Sequence, residues 1–294
     1  MVFKMPVDIF APDSQLSAQL KGARVKRRLP EPARFLFCRG RFALYSLLRF
    51  LKIGSGDEVI VQAFTCSQVV QPILQLGAMP VFCDTEPTGF CLDSHALSRV
   101  LSKATKVVII QHTFGIPANM NALVPLLKQR GIFAIEDCCH VCASDYNGIS
   151  LGSFGDAAFY SYGYEKPMSA GLGGAAVLNS SAAALDFQSL YFTYARASLA
   201  EEAWAAFRIA AKAVFPAESV VWARDFLRGE RGRPRGGDEP WSDRDCKKSL
   251  PRVVALCVDR LLQRTDRIVS RKKRTLQKLD ERIGALGLRE LRLH

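Results

Sequence analysis

Apolar positions along this chain switch between two spacings. In residues 41–53, RFALYSLLRFLKI, they recur at helical intervals, and Gly54, Ser55 and Gly56 end the run. DEVIVQAF (57–64) is nearly continuous and of strand length. SQVVQPILQLG (67–77) predicts a short helix with Pro72 restricting its first turns, and MPVFCDTE (79–86) a second strand. The alternation continues with a helix in SHALSRVLSK (94–103), a strand in KVVIIQHT (106–113), a helix in NALVPLLKQRG (121–131) and a strand in IFAIED (132–137). DAAFYSY (156–162) and GAAVLN (174–179) are further strands. Strands alternating with helices predict an α/β domain around a largely parallel sheet.

In such sheets, ligands gather beyond the carboxyl ends of the strands. Those ends here carry Phe64-Thr65-Cys66, His112, Asp137-Cys138-Cys139-His140 and the segment containing Lys166. Near residue 190 the character changes. Residues 190–227 are aromatic-rich and amphipathic and predict helices, 228–245 are a polar glycine-rich linker, and 250–286 read as one long amphipathic helix with room for a break. The expected organisation is an N-terminal arm (1–30), a ligand-binding large domain (31–190), an amphipathic helical insertion with a basic linker (191–245), and a long helix that opens a small domain (246–294).

Composition narrows the class. Of 294 residues, 49% are hydrophobic and 23% charged, as in ordinary soluble globular proteins. No apolar run reaches the ~18 residues of a spanning helix. Asp8, Pro6 and Pro12 stand where a signal peptide needs an apolar core, so a cytoplasmic location is expected. The nine cysteines are an odd number, better read as buried thiols than as a disulfide framework. Cys139 and Cys142 have the spacing of a zinc or redox pair, but no second pair accompanies them, and no metal is expected. The net charge of +12 is concentrated late: from Arg196 onward there are 23 Lys and Arg against 14 Asp and Glu. That surface is either a solvated face or one that meets phosphates or an anionic membrane, with peripheral contact through residues 196–235. No zinc-finger, RNP or helix-turn-helix signature accompanies it, so nucleic acid is not expected.

Lys166 falls between one apolar run (157–162) and a glycine-rich turn that leads into another (175–178). A lysine in a dry site has a lowered pKa, and its neutral amine can attack a carbonyl to form a Schiff base. Pyridoxal phosphate uses such a lysine, an acidic partner for its pyridinium nitrogen, and donors for its phosphate. Asp137, at the end of a predicted strand, can supply the acid.

Four blocks in order resemble one family. They are KIGSGDEVIVQAFTCSQVVQPILQLGAMPVFCDTE (52–86), QHTFGIPANM (111–120), IEDCCHVCAS (135–144) and GSFGDAAFYSYGYEKPMSAGLGGAAVL (152–178). Together they resemble the DegT/DnrJ/EryC1/StrS family of pyridoxal-phosphate-dependent sugar aminotransferases, well over residues 33–180 and weakly over 245–290. The resemblance implies a three-layer α/β/α large domain of the aspartate-aminotransferase fold (fold type I), followed by helices. It implies that Lys166 is the Schiff-base lysine and proton carrier, Asp137 the pyridinium partner, and His140 the contact to a ring substituent. Ser161 then binds the phosphate, together with the turn Gly40-Arg41-Phe42, and Cys66 stands where many members stack an aromatic ring on the pyridine. The implied activity is transfer of an amino group from an amino acid such as glutamate to a nucleotide-linked keto-sugar, for cell-surface polysaccharide or secondary-metabolite biosynthesis, by a homodimer.

Each of these residues also has a plainer reading: a loop lysine, a helix N-cap for Asp137, core histidines for His112 and His140, a strand serine, a small buried thiol for Cys66. The chain also departs from the family pattern. Arg41-Phe42 replaces a small hydroxyl-bearing turn, so that Arg41 either pairs with phosphate or Phe42 crowds the site. Leu172 stands where Glu is usual. DCKKSLPRVV (245–254) matches only weakly, and most of the small C-terminal domain is expected to be missing. These departures motivate an alternative: a weakly active or inactive cofactor-fold protein that binds a full-length homologue.

Overall fold

The computed structural model describes residues 34–87, 89–214 and 241–285. The expected N-terminal arm (1–30) and residues 228–240 of the expected linker lie outside the described residues.

Every helix and strand expected between residues 41 and 179 is present, with ends shifted by one to a few residues. The strands are β1 (Arg34–Phe37), β2 (Glu58–Gln62), β3 (Met79–Cys83), β4 (Thr105–Gln111), β5 (Phe133–Asp137), a short hairpin β6 (Asp145–Tyr146) and β7 (Ile149–Ser150), then β8 (Ala157–Ser161) and β9 (Gly174–Leu178). The helices among them are α1 (Gly40–Phe50), α2 (Ser67–Gln75), α3 (Ser94–Val100) and α4 (Met120–Gln129), with α5 (Ser181–Tyr191) following β9. The sheet has seven strands in the order β1-β9-β8-β5-β4-β2-β3. All neighbours from β8 to β3 are parallel, and β9 runs antiparallel to both β8 and β1. Parallel pairing requires crossovers; α2, α3 and α4 supply those from β2 to β5, and the segment with the β6–β7 hairpin makes the one from β5 to β8.

The period of two in each strand divides the side chains between two cores. Val59, Val61, Val107, Ile109, Ile135 and Phe159 pack with α1, α2 and α5 on one face. Ile60, Val108, Ile110 and Ala134 pack with α3 and α4 on the other. This is why the central strands read as unbroken apolar runs: both faces are covered. The arrangement is the expected α/β/α sandwich around a mostly parallel sheet.

The C-terminal part returns to the first strand. Helices α6 (Leu199–Val214), α7 (Asp243–Cys246), α8 (Arg252–Gln263) and α9 (Thr265–Ala285) follow α5. The long helix expected over 250–286 is broken at Arg264, whose backbone (φ −102°, ψ 13°) closes α8. Residues 241–250 form a strap across α1, α2 and β1. Trp241 Nε1 donates to Gln71 at 3.1 Å, Tyr45 donates to Asp243 at 2.5 Å, and Ser249 pairs with Phe37. The Glu202 carboxylate of α6 accepts the Arg252 N–H at 2.8 Å, capping α8 from a different helix.

Candidate active site

The carboxyl ends of β5 and β8 lie side by side, because Asp137 pairs with Phe159 in the register. Asp137 is buried, and its Oδ1 accepts the Cys139 N–H at 2.9 Å. That bond bends the chain sharply off the strand and sets His140 beside it. The preceding residue, Glu136, points to the opposite face of the sheet, as strand alternation requires. Two adjacent acids therefore have different surroundings. Glu136 is fully buried and accepts N–H groups from Gly152 (2.8 Å), Phe154 (2.7 Å) and Gly155 (2.8 Å). It also meets His112 Nε2 at 3.0 Å. His112 Nδ1 accepts the Ala118 N–H at 3.2 Å, so the proton sits on Nε2 and is donated to the carboxylate.

His112 is thus a satisfied core histidine rather than a ligand group. Cys138 lies close enough to complete a triad with His112 and Glu136 that resembles a metal site. The hydrogen bonds already made by the histidine and the carboxylate explain that triad without an ion. Glu136 was not singled out in the sequence; its one signal there is its place before Asp137 at a strand end.

Lys166 is half-buried on the loop between β8 and β9. Its charge reaches both groups that follow Asp137. Burial and the Lys166 ammonium lower the His140 pKa, against the pull of Asp137. Burial pushes the Cys139 thiol well up, the Asp137 carboxylate adds to this, and Lys166 opposes it. Lysine, aspartate and histidine therefore share one electrostatic neighbourhood. His140 Nδ1 accepts the Phe114 N–H at 3.2 Å, and the two rings stack at 6.0 Å. This leaves neutral His140 with its proton on Nε2, free to donate toward a ligand. Phe114 adopts a left-handed φ of 57°, unusual for a non-glycine residue, to make this contact.

Ser161 ends β8 on the same face as Asp137, beneath the N-terminus of α1. A Cβ on Gly40 would lie 3.0 Å from Ser161 Cβ and 3.1 Å from the Tyr160 carbonyl, so helix and strand meet at the closest approach a backbone allows. The N-cap residue Arg39 makes no side-chain cap, and no acidic residue stands in the first turn. An uncapped helix start next to a serine hydroxyl is suited to an anion. The Arg41 side chain is buried, bonds Gln68, and lies over Trp241 at 5.9 Å. Phe42 is also buried, 5.7 Å from Trp241, so it packs inward and does not crowd the cradle. Cys66 is exposed at the N-cap of α2, which corrects its reading as a small buried thiol. All nine cysteines are free thiols.

A second polar group braces the neighbouring strand ends. Gln62 Nε2 donates to the carbonyls of Phe64 (2.7 Å) and Phe90 (2.9 Å) and to Thr113 (3.0 Å). Thr65 donates to Gln111 at 2.7 Å. These bonds hold the loops after β2 and β4, with Phe64, Phe90 and Phe114 forming an exposed aromatic cluster beside His140.

This fold and site define a class, and comparison with known proteins identifies it. Residues 37–204 match the DegT/DnrJ/EryC1/StrS aminotransferase family, and the chain belongs to that family. Its members depend on pyridoxal phosphate. The chain is 35% identical over 143 residues to UDP-N-acetyl-3-dehydro-alpha-D-glucosamine 3-aminotransferase of Acidithiobacillus ferrooxidans, covering 49% of this chain and 39% of that protein. It is 36% identical over 141 residues to GDP-perosamine synthase of Vibrio cholerae, covering 48% and 38%. The chain thus spans about two-fifths of the length of these curated relatives. Among solved structures, 3-amino-5-hydroxybenzoic acid synthase aligns over 86% of this chain and 56% of its own, with 25% identity and a TM-score of 0.59. An aminotransferase from Psychrobacter cryohalolentis aligns over 53% and 40%, with 29% identity and a TM-score of 0.51.

Proposed function

We propose that this chain carries the cofactor-binding half of a pyridoxal-phosphate-dependent transaminase acting on a ring ketone, with a nucleotide-linked keto-sugar as acceptor and an amino acid such as glutamate as donor. The observation that carries the reading is the convergence of Lys166, Asp137 and His140 beside the uncapped start of α1. The residues fit the cofactor in kind: a buried carboxylate for a pyridinium nitrogen, an anion cradle at Gly40 and Ser161, and a half-buried lysine on the loop that follows β8. When bound, the cofactor supplies an aldehyde for the lysine and an electron sink for the donor's Cα–H bond. The protein's own part is narrower. Asp137 would hold a proton on the ring nitrogen, the α1 N–H groups and Ser161 would hold phosphate, His140 Nε2–H would orient a ring substituent, and Lys166 would carry protons.

The acceptor class is supported by the names of the relatives, which act on nucleotide sugars or on an inosose. The cationic late segments can meet a diphosphate. Both side chains of the altered turn Arg41-Phe42 are buried beside Trp241, an arrangement compatible with an open cradle. Leu172, where Glu is usual, joins an apolar cluster with Val254 and Val258. A location in the cytoplasm and a homodimer belong to the same proposal; among the described residues no helix is long and apolar enough to cross a membrane.

The test is visible spectroscopy of wild type and Lys166→Ala with added pyridoxal phosphate, before and after glutamate. A band that needs Lys166 and bleaches on donor addition supports transamination. A band that needs Lys166 but ignores every amino donor supports the alternative, a cofactor-binding partner without turnover. Absence of a Lys166-dependent band overturns the proposal.

A further inference from the structure

The loop bearing Lys166 is fastened at its base and on two sides. At the base, Tyr162 N–H bonds the Gly173 carbonyl at 2.8 Å, and Ala170 N–H bonds the Tyr162 carbonyl at 3.0 Å. Gly163 and Gly171 pair across the neck. On one side Met168 is buried, and its sulfur meets the Cys142 thiol at 3.5 Å, joining the loop to the segment that carries His140. On the other side Lys272 Nζ, from α9, donates to the Pro167 carbonyl at 2.7 Å.

Lys272 stands apart from its neighbours. Arg271, Lys273, Arg274 and Lys278 are exposed, whereas Lys272 is half-buried. Helical phase explains the difference. Ile268, four residues earlier and so on the same face, packs against the apolar cluster built on Met168, Val254, Val258 and Leu261. Seating Ile268 turns Lys272 toward the loop, while the rest of the basic run faces water. The carbonyl it reaches belongs to the residue directly after Lys166. A charge-assisted bond to that carbonyl restrains the peptide unit next to the lysine.

We propose that Lys272 is a positioning residue for Lys166: its bond to Pro167 latches the lysine loop to α9, so the seating of the C-terminal helices controls how Lys166 meets its target. This rests on the reading of Lys166 as the cofactor lysine. Without the latch, the base of the loop and Met168 stay in place, but the tip gains freedom and Lys166 samples other directions. The latch also gives the basic segment 271–274 a role for one of its four cations; the exposed remainder needs no such explanation.

The test compares wild type, Lys272→Met, Lys272→Arg and the control Lys273→Met. Hydrogen exchange of the peptide over residues 162–173 is measured without cofactor, with the α4 peptide as an internal reference. The rate at which added pyridoxal phosphate gives the Lys166-dependent band is measured second. Lys272→Met is expected to speed exchange in the loop about tenfold, as loss of one charge-assisted bond allows, and to slow the band by a similar factor. Lys272→Arg keeps a donor and recovers most of both; Lys273→Met changes neither. Unchanged loop exchange and band formation in Lys272→Met would overturn the latch. Equal effects from Lys273→Met would also overturn it, since net charge would then be the cause. A wild-type protein with no Lys166-dependent band would overturn the cofactor reading instead, and the exchange data would decide the latch alone.

Discussion

Two neighbouring acids show how much one position along a strand changes a residue's work. Glu136 faces a ring of backbone donors and His112; Asp137 faces the candidate cofactor site. Glu136→Ala would leave three N–H groups and an imidazole N–H without their acceptor, two of these donors fully buried. We expect it to destabilise the fold by at least about 3 kcal/mol, measured by urea unfolding, since losing one partner of a buried charged network costs that much. Modest destabilisation, below about 1 kcal/mol, would show that water replaces the carboxylate. His140 makes a separate prediction. Burial and Lys166 lower its folded pKa, so the unfolded chain binds more protons than the folded one as pH falls. Its contribution to stability is complete above the unfolded value, roughly 6.5. It is lost as pH falls from there through the lower folded value. His140→Phe should flatten the dependence of unfolding free energy on pH in that window; an unchanged slope would refute the assignment.

At the scale of elements, the cradle depends on three segments meeting at glycine. A Cβ on Gly174 would fall 2.4 Å from the Gly40 amide nitrogen, within the helix start itself. Gly174→Ala is therefore expected to push α1 away from β8 and β9. It should lower stability by roughly 2 kcal/mol or more, the range for overpacking. It should also weaken protection of the fold by inorganic phosphate, read as a smaller phosphate-induced rise in Tm. A variant that keeps the wild-type phosphate effect would show that α1 is not the anion site. Legibility differed among elements for plain reasons. The long strands were clear because both faces are apolar. β1, only four residues long, and the β6–β7 hairpin, with two residues a side, are too short to show a period. The break between α8 and α9 at Arg264 has no proline or glycine to announce it.

At the scale of the whole molecule, the sheet supplies the floor of the site and the C-terminal segments supply its support. Residues 241–250 run along β1, α8 and α6 cover the loop of Lys166, and α9 bonds it. None of these contacts follows from local pattern, because each joins segments that are distant along the chain. By itself the sequence determined the alternation of helix and strand, the sheet's largely parallel character, and a short set of candidate residues at strand ends. Those properties depend on periodicity and on the chain's local chemistry. Only the tertiary structure decided that Glu136 and His112 serve the core, that Arg41 and Phe42 turn inward to Trp241, and that Lys272 alone of its basic run reaches the lysine loop. Side-chain direction depends on what packs on each face, and that is settled only when distant segments meet.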